Sequence, residues 1–420
     1  MYSQLHHQRQ LKELTETIEK NIHAHHQEIE AVACENQAKV MRSFRKHQVA
    51  DFHFTPSTGY GYDDSGRDTL EAIYADVFGG EAALVRPQII SGTHAIATAL
   101  FGILRPGDEL LYITGKPYDT LEEIVGIRGN GKGSLKDFQV DYNAIPLLES
   151  GWIDEQRIKE ALNSKTKVIG IQRSKGYGNR PSFTIEQIGQ MISFIRSLKE
   201  DAIIFVDNCY GEFVETKEPC DVGADIIAGS LIKNPGGGIV KTGGYLVGRR
   251  ELIELASYRL AAPGIGAEGG ASLYSLLEMY QGFFLAPHVV SQAVKGAVFT
   301  AAALEALGME TTPSWETRRT DLIQSVTFPT AEKMITFCQA IQAASPVNAH
   351  VSPQPSAMPG YQDKVIMAAG TFIQGASIEL TADGPIRPPY VAYVQGGLTY
   401  EHVKIAVLQA IDSIIEQDID

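Results

Sequence analysis

Gly229-Ser230-Leu231-Ile232-Lys233-Asn234-Pro235, continuing into Gly236-Gly237-Gly238, is the stretch on which the reading of this chain turns. The run ahead of it, Asp225-Ile226-Ile227-Ala228, reads as a short buried strand. Lys233 then stands at a strand exit among small residues, where a charge is poorly solvated. Burial lowers the pKa of an amine. Schiff-base formation needs a neutral amine, so the expectation is a reactive lysine of depressed pKa. Ser230, three residues earlier, is close enough to serve the same ligand.

A second run, Ala202-Ile203-Ile204-Phe205-Val206, ends in Asp207-Asn208-Cys209-Tyr210-Gly211-Glu212-Phe213. In open α/β sheets, ligands bind outside the carboxyl ends of the strands. Asp207 and Lys233 would therefore face one crevice. Pyridoxal phosphate asks for that pair, a lysine for its aldehyde and a carboxylate for its pyridinium nitrogen. Upstream, Ile89-Ile90 leads into Ser91-Gly92-Thr93-His94-Ala95 and a helix over 97–104. Backbone N–H groups at a helix N-terminus form an anion site when small residues permit close approach. The strand Asp108-Glu109-Leu110-Leu111-Tyr112-Ile113 leaves through Thr114-Gly115-Lys116-Pro117-Tyr118. A flat aromatic there would stack on a pyridine ring; Tyr118 is the preferred candidate and His94 its competitor.

Four features in this order are specific together: Ser91-Gly92-Thr93-His94-Ala95, Tyr118-Asp119-Thr120, Val206-Asp207-Asn208-Cys209-Tyr210 and Ser230-Leu231-Ile232-Lys233. They resemble the fold-type I pyridoxal-phosphate enzymes of the cystathionine/methionine γ-lyase kind, and above all the methionine γ-lyase family branch called aluminium-resistance proteins. The resemblance implies an α/β fold. A large three-layer αβα domain around a mainly parallel sheet would occupy 55–262, with a smaller C-terminal α+β domain at 263–420 and an N-terminal helical arm at 1–54. It implies pyridoxal 5'-phosphate as cofactor, held by Ser91, Gly92, Thr93, Tyr118, Asp207, Tyr210, Ser230 and Lys233, with Tyr60 reaching it from a neighbouring subunit. Lys233 would carry the cofactor and then act as base at the substrate Cα. Tyr118 would stack on the ring and move protons.

Two departures from the family stand out. Its Tyr-x-Arg phosphate contact is here Tyr60-Gly61-Tyr62, and Arg67 is open to two readings, a substitute for the missing arginine or a helix-surface residue. Its Asn-Pro at the ring hydroxyl is missing, which leaves Gln172, Arg173 or Tyr210 for that contact. Arg387 and Arg173 are the candidates for gripping substrate, since a guanidinium fork suits an α-carboxylate. In alignment on Gly396-Gly397-Leu398, however, Tyr393 falls where the lyases have their arginine. The implied activity is a carbon–sulfur lyase for a sulfur-containing amino acid, of the cystathionine β-lyase or methionine γ-lyase type. The alternatives are an aminotransferase and a pyridoxal-phosphate-binding stress protein with little turnover. A homodimer or homotetramer is implied as well.

The rest of the sequence sets bounds. At 420 residues the chain has room for two or three domains of about 150 residues each. A net charge of −14 argues against nucleic acid or an anionic membrane as partner. Cys34, Cys209, Cys220 and Cys338 lack CxxC spacing, as reduced thiols do. His23, His25 and His26 read as a solvated helix face, so no metal is expected. The N-terminus lacks a signal-peptide pattern and no apolar run is of membrane length, which points to the cytoplasm. Leu11, Leu14, Ile18, Ile22, Ile29 and Val32 predict one or two helices over 8–48. Strands and helices alternate to about residue 260, and a mixed tail follows whose last helix begins near Tyr400. The glycine-rich 128–134 lacks Walker spacing and reads as a connection.

Overall fold

Apolar strands that alternate with amphipathic helices bury both faces of a sheet, and the segment Asn36–Phe284 does so. The computed structural model describes residues 2–178, 180–358 and 361–417. Helix α1 (Gln8–Lys46) is a single helix that enters this unit at Asn36, whose side-chain amide donates to the carbonyls of Phe213 and Glu215 at 3.0 Å each. Seven strands follow: β1 (Ala82–Arg86), β2 (Glu109–Tyr112), β3 (Asp141–Ala144), β4 (Thr166–Gln172), β5 (Ile203–Asp207), β6 (Ile226–Ser230) and β7 (Gly244–Gly248). They lie in the order β1-β7-β6-β5-β4-β2-β3. Strands β2 to β6 run parallel, and β7 pairs antiparallel with both β6 and β1. Both β5 and β6 are buried at every residue, as a strand covered on two faces must be.

The helices of this unit are α2 (Ser65–Phe78), α3 (Gly92–Ile103), α4 (Glu122–Val125), α5 (Glu155–Ala161), α6 (Ile185–Leu198) and α7 (Arg250–Leu260). Helix α2 starts where the Asp64 carboxylate accepts the Arg67 amide, and stops at Gly79, whose φ of 76° closes the last turn. Helix α3 begins at Gly92, ahead of the expected 97, because Ser91 Oγ accepts the His94 amide and caps the turn. Thr184 and Gln187 form a capping box at the head of α6. The apolar sides of α3 and α7 pack with Leu110, Phe205 and Leu246 of the sheet into one core.

The second unit joins Met1–Glu35 to Leu285–Asp420. Helix α8 (Leu276–Glu305) enters it, and its sheet has five strands: β8 (Glu310–Thr312), β9 (Gln324–Phe328), β10 (Val365–Ala368), β11 (Thr381–Pro385) and β12 (Tyr390–Gln395). Their order is β10-β11-β12-β9-β8, antiparallel throughout. Helices α9 (Ala331–Ala343) and α10 (Tyr400–Gln417) complete it, with Val326, Phe337, Ile341, Val407 and Ile411 in the core. The expected α/β architecture with a mainly parallel sheet is present, and the second unit carries a separate antiparallel sheet. Among the described residues no helix is long and apolar enough to cross a membrane.

Ile227 lies fully buried at the middle of β6, the strand that ends at Ser230. Ile227→Ala should cost about 2–5 kcal/mol and Ile227→Val about 0.5–1.5 kcal/mol. Denaturant titration reads both, and a wild-type midpoint for the alanine variant would refute the placement of this strand.

Candidate active site

Three neighbouring strands end at the site. Gln172 closes β4 in register with Asp207 of β5, and Ser230 closes β6. Past these ends lies a cavity of about 170 Å³. It is lined by Ser91, Gly92, Thr93, Tyr118, Asp207, Tyr210, Ser230 and Lys233, together with Ile96, Thr120, Gln172, Ser174, Gly176 and Cys209. All the cofactor-binding candidates named from the sequence except Tyr60 therefore meet in one place.

The wall on the α3 side is built for close approach. The first amides of a helix have no intrahelical acceptor, and here they belong to Gly92 and Thr93. Gly92 keeps the approach close: a Cβ there would come 3.2 Å from Cys209 Sγ and 3.3 Å from Ser230 Cβ, and these neighbours would have to give way. Thr93 Oγ1 shares a hydrogen bond of 2.9 Å with Thr120 Oγ1. Tyr118 borders the cavity beside Gly176, where an added Cβ would touch its ring at 2.9 Å. Its competitor His94 accepts the Ile90 amide at Nδ1, 3.2 Å away, and is absent from the lining.

At the strand ends the electrostatics are those of crowded acids around one amine. The Cys209 amide donates to Asp207 Oδ1 at 3.1 Å. Burial pushes the Asp207 carboxyl up, while Lys233 and the Cys209 amide pull it down. Lys233 Nζ sits 3.9 Å from the centre of the Tyr210 ring. Tyr210 itself adopts a φ of 73°, a left-handed conformation that side chains rarely take. The depressed lysine pKa expected from burial is not what this surrounding produces. Burial does oppose the charge, but Cys209, Tyr210, Asp207 and Glu212 outweigh it and hold the amine above its ordinary value.

Other residues singled out in the sequence lie elsewhere. Arg173 has no solvent exposure, and its guanidinium meets Asn208 Oδ1 at 2.9 Å, Glu215 at 3.2 Å and Glu218 at 3.3 Å. It faces the protein interior rather than the cavity, because three partners on the chain after β5 claim it. Arg67 is also buried, with Nη1 donating to the carbonyls of Gly61 at 2.6 Å and Gly270 at 3.1 Å. It fixes the loop that carries Tyr60 and is not a free phosphate ligand. Tyr60 is 78% exposed and stacks on Tyr62 with ring centres 5.4 Å apart. Arg387, in the second unit, pairs with Asp363 at 3.0 Å on the surface.

Two residues beside the cavity had escaped the sequence reading. Arg180 donates through Nη2 to the carbonyls of Gln172, at 3.0 Å, and Ser174, and its charge bears on Asp207. Glu212 is fully buried and raises the Lys233 pKa. An arginine after a glycine-rich run and a glutamate after a strand carry no motif, so only the folded geometry reveals them.

The chain belongs to the methionine γ-lyase family, whose model, described as methionine gamma-lyase, matches residues 11–415. It is 68% identical to the uncharacterized protein YnbB of Bacillus subtilis (strain 168) over 420 residues, the full length of both. A solved chain from Listeria monocytogenes, described as a candidate cystathionine beta-lyase involved in aluminum resistance, is 67% identical with a TM-score of 0.95, covering 96% of this chain and 100% of that one. A carbon-sulfur lyase involved in aluminum resistance from Clostridium novyi NT is 47% identical with a TM-score of 0.92, covering 96% of each chain.

Removing one partner of a buried ion pair strands the other charges. Arg173→Met should therefore lower stability by about 3–5 kcal/mol, read from the unfolding midpoint. A variant of wild-type stability with only a raised KM would return Arg173 to the substrate site.

Proposed function

We propose that this chain is a pyridoxal-phosphate-dependent carbon–sulfur lyase acting on a sulfur-containing amino acid, of the cystathionine β-lyase or methionine γ-lyase type. The observation that carries the reading is a carboxylate, Asp207, and an amine, Lys233, on one cavity whose far wall is a capped helix N-terminus. The residues present fit the cofactor. Gln172 Oε1 is buried without a hydrogen-bond donor among the described residues, and a ring hydroxyl would supply one. The Gly92 and Thr93 amides with the Ser230 hydroxyl make a seat for a phosphate. Asp207 would face the ring nitrogen and keep its proton in place, and Tyr118 would cover the ring. Bound there, pyridoxal phosphate supplies an electron sink for charge developing at the substrate Cα.

The chain's own part is proton transfer and positioning. Lys233 takes the Cα proton as general base and returns a proton later. Its closeness to the Tyr210 ring limits the directions in which Nζ can swing. Of the two arginines considered for the substrate α-carboxylate, Arg387 stays in this reading. Its fork pairs with Asp363 at the surface of the second unit, whereas Arg173 is enclosed by its own pairs. The same reading places the protein in the cytoplasm, in keeping with four unpaired cysteines. It also makes the protein a homodimer or homotetramer in which the exposed Tyr60 reaches a neighbour's cofactor.

The purified protein should release thiol, ammonia and keto acid from at least one of cystathionine, cysteine, homocysteine and methionine, and borohydride reduction should fix a pyridoxyl group on Lys233. A label on another lysine refutes the site, and keto acid without thiol release makes the protein an aminotransferase. Asp207→Asn should keep the cofactor but lose about tenfold or more in turnover, since each pKa unit of lost proton stabilisation is worth about 1.4 kcal/mol. Lys233→Ala should abolish Cα-proton exchange altogether. Exchange at the wild-type rate in Asp207→Asn would remove Asp207 from the ring nitrogen.

Sedimentation of the loaded protein should give at least a dimer. A loaded, active monomer at low concentration would overturn the shared site.

A further inference from the structure

Behind Lys233 lies a second buried carboxyl group for which the proposed mechanism has no task. Glu212 has no solvent exposure. Its Oε1 accepts from Tyr245 Oη at 2.8 Å, and its Oε2 has no hydrogen-bond partner among the described residues. The residue is tied to the lysine turn at two points. Its main-chain carbonyl accepts the side-chain amide of Asn234, next to Lys233, at 2.8 Å. Its Oε1 packs on Gly229, where an added Cβ would come within 2.6 Å.

Its carboxyl neighbours are differently served. Glu215 and Glu218 both have the Arg173 guanidinium, at 3.2 and 3.3 Å, and Glu218 also takes the Asn208 amide at 2.9 Å. Glu212 has a neutral hydroxyl. A carboxylate buried with an empty oxygen is costly, whereas the acid form places a proton on that oxygen and removes the charge. The titratable groups around it are Tyr245 from β7, Tyr74 from α2, Cys209 and Glu218 from the chain after β5, and Lys233 from the turn after β6.

Resting on the proposed function, we propose that Glu212 is a positioning residue that sets the protonation of Lys233. As a neutral acid it adds nothing to the proton affinity of the lysine nitrogen; once ionised, it raises that affinity. Burial moves its pKa up to about 8, with Glu218 adding to the rise and its own backbone amide, Tyr245 and Lys233 opposing it. The exchange between the two states then falls just above neutral pH. The proton count is simple: one proton leaves Glu212 for solvent, and the negative charge left behind retains another on Lys233.

Glu212→Gln removes the charge and keeps the size. In cofactor-free protein, the pH midpoint for acetylation of Lys233 by acetic anhydride, read by peptide mapping, should fall by about one unit or more. The absorbance of the pyridoxal-phosphate-loaded variant should titrate lower by a similar amount. Stability offers a further check. With a folded pKa near 8 against an ordinary value of 4.5, Glu212 makes wild type lose stability as pH rises through that interval, and the variant should lose less. A folded variant with the wild-type Lys233 midpoint overturns the proposal. Should the variant not fold, infrared titration of wild type decides. A buried protonated-carboxyl band vanishing near pH 8 supports the proposal, and its absence at every pH overturns it. Failure of wild type to bind pyridoxal phosphate would instead sink the proposed function, with the acetylation and infrared results still deciding the role of Glu212.

Discussion

A guanidinium sealed from water must find its counter-charges inside the protein, and for Arg173 those lie on the chain that follows β5. Asn208, Glu215 and Glu218 all converge on it. The constraint shapes the turn between them. Gly211 passes so close that a Cβ there would stand 2.4 Å from Arg173 Nε, so this position has to be glycine. Tyr210 and Phe213, on either side, are bent to positive φ, a strain of about 1–3 kcal/mol each that only a well-anchored segment sustains. Asp207 and Tyr210 sit at the front of this turn and Glu212 at its back. The ion-pair cluster thus decides what the cavity sees.

The cavity separates two kinds of electrostatics. On the α3 side there are small residues, hydroxyls and free helix-end amides, with no acid among Ser91, Gly92, Thr93 and Thr120. At the strand ends, acids crowd around a single lysine. An elongated ligand with a phosphate at one end and a protonatable ring at the other matches that polarity along its length. The excess of acid around Lys233 explains why burial alone misjudges its proton affinity. A desolvation argument treats the lysine as solitary, and this one has Asp207 and Glu212 for company.

Much of the layout could be read in advance because it rests on local patterns. The apolar runs at 202–206 and 225–228 became β5 and β6, and Ser91 capped its helix. The lysine and aspartate emerged on one cavity because parallel strands deliver their ends to one edge. The surroundings of Arg173 and Arg67 were not legible in the sequence for a common reason. Arg173 follows β4 and Arg67 lies in the first turn of α2, but each binds distant chain: Glu215 and Glu218 for one, the Gly270 carbonyl for the other. No spacing within a sequence window records such partners. Arg180 and Glu212 were passed over because their importance comes from burial and neighbours rather than from residue type in a motif.

The strand order has a consequence for the chain as it leaves the ribosome. Strand β1 bonds to β7 alone, and β7 is the last strand of its sheet to be made. The segment leading to Ser91 and Gly92 therefore waits, unpaired at its edge, while β2 through β6 are translated and can already associate. Non-local pairings of this kind are slow and leave strand edges open in the interval. Glycines at both ends of β7 and the tight turn after Lys233 are then the final closure. The edge strand that leads to Ser91 and Gly92 finds its partner only when the nascent chain has passed Gly248.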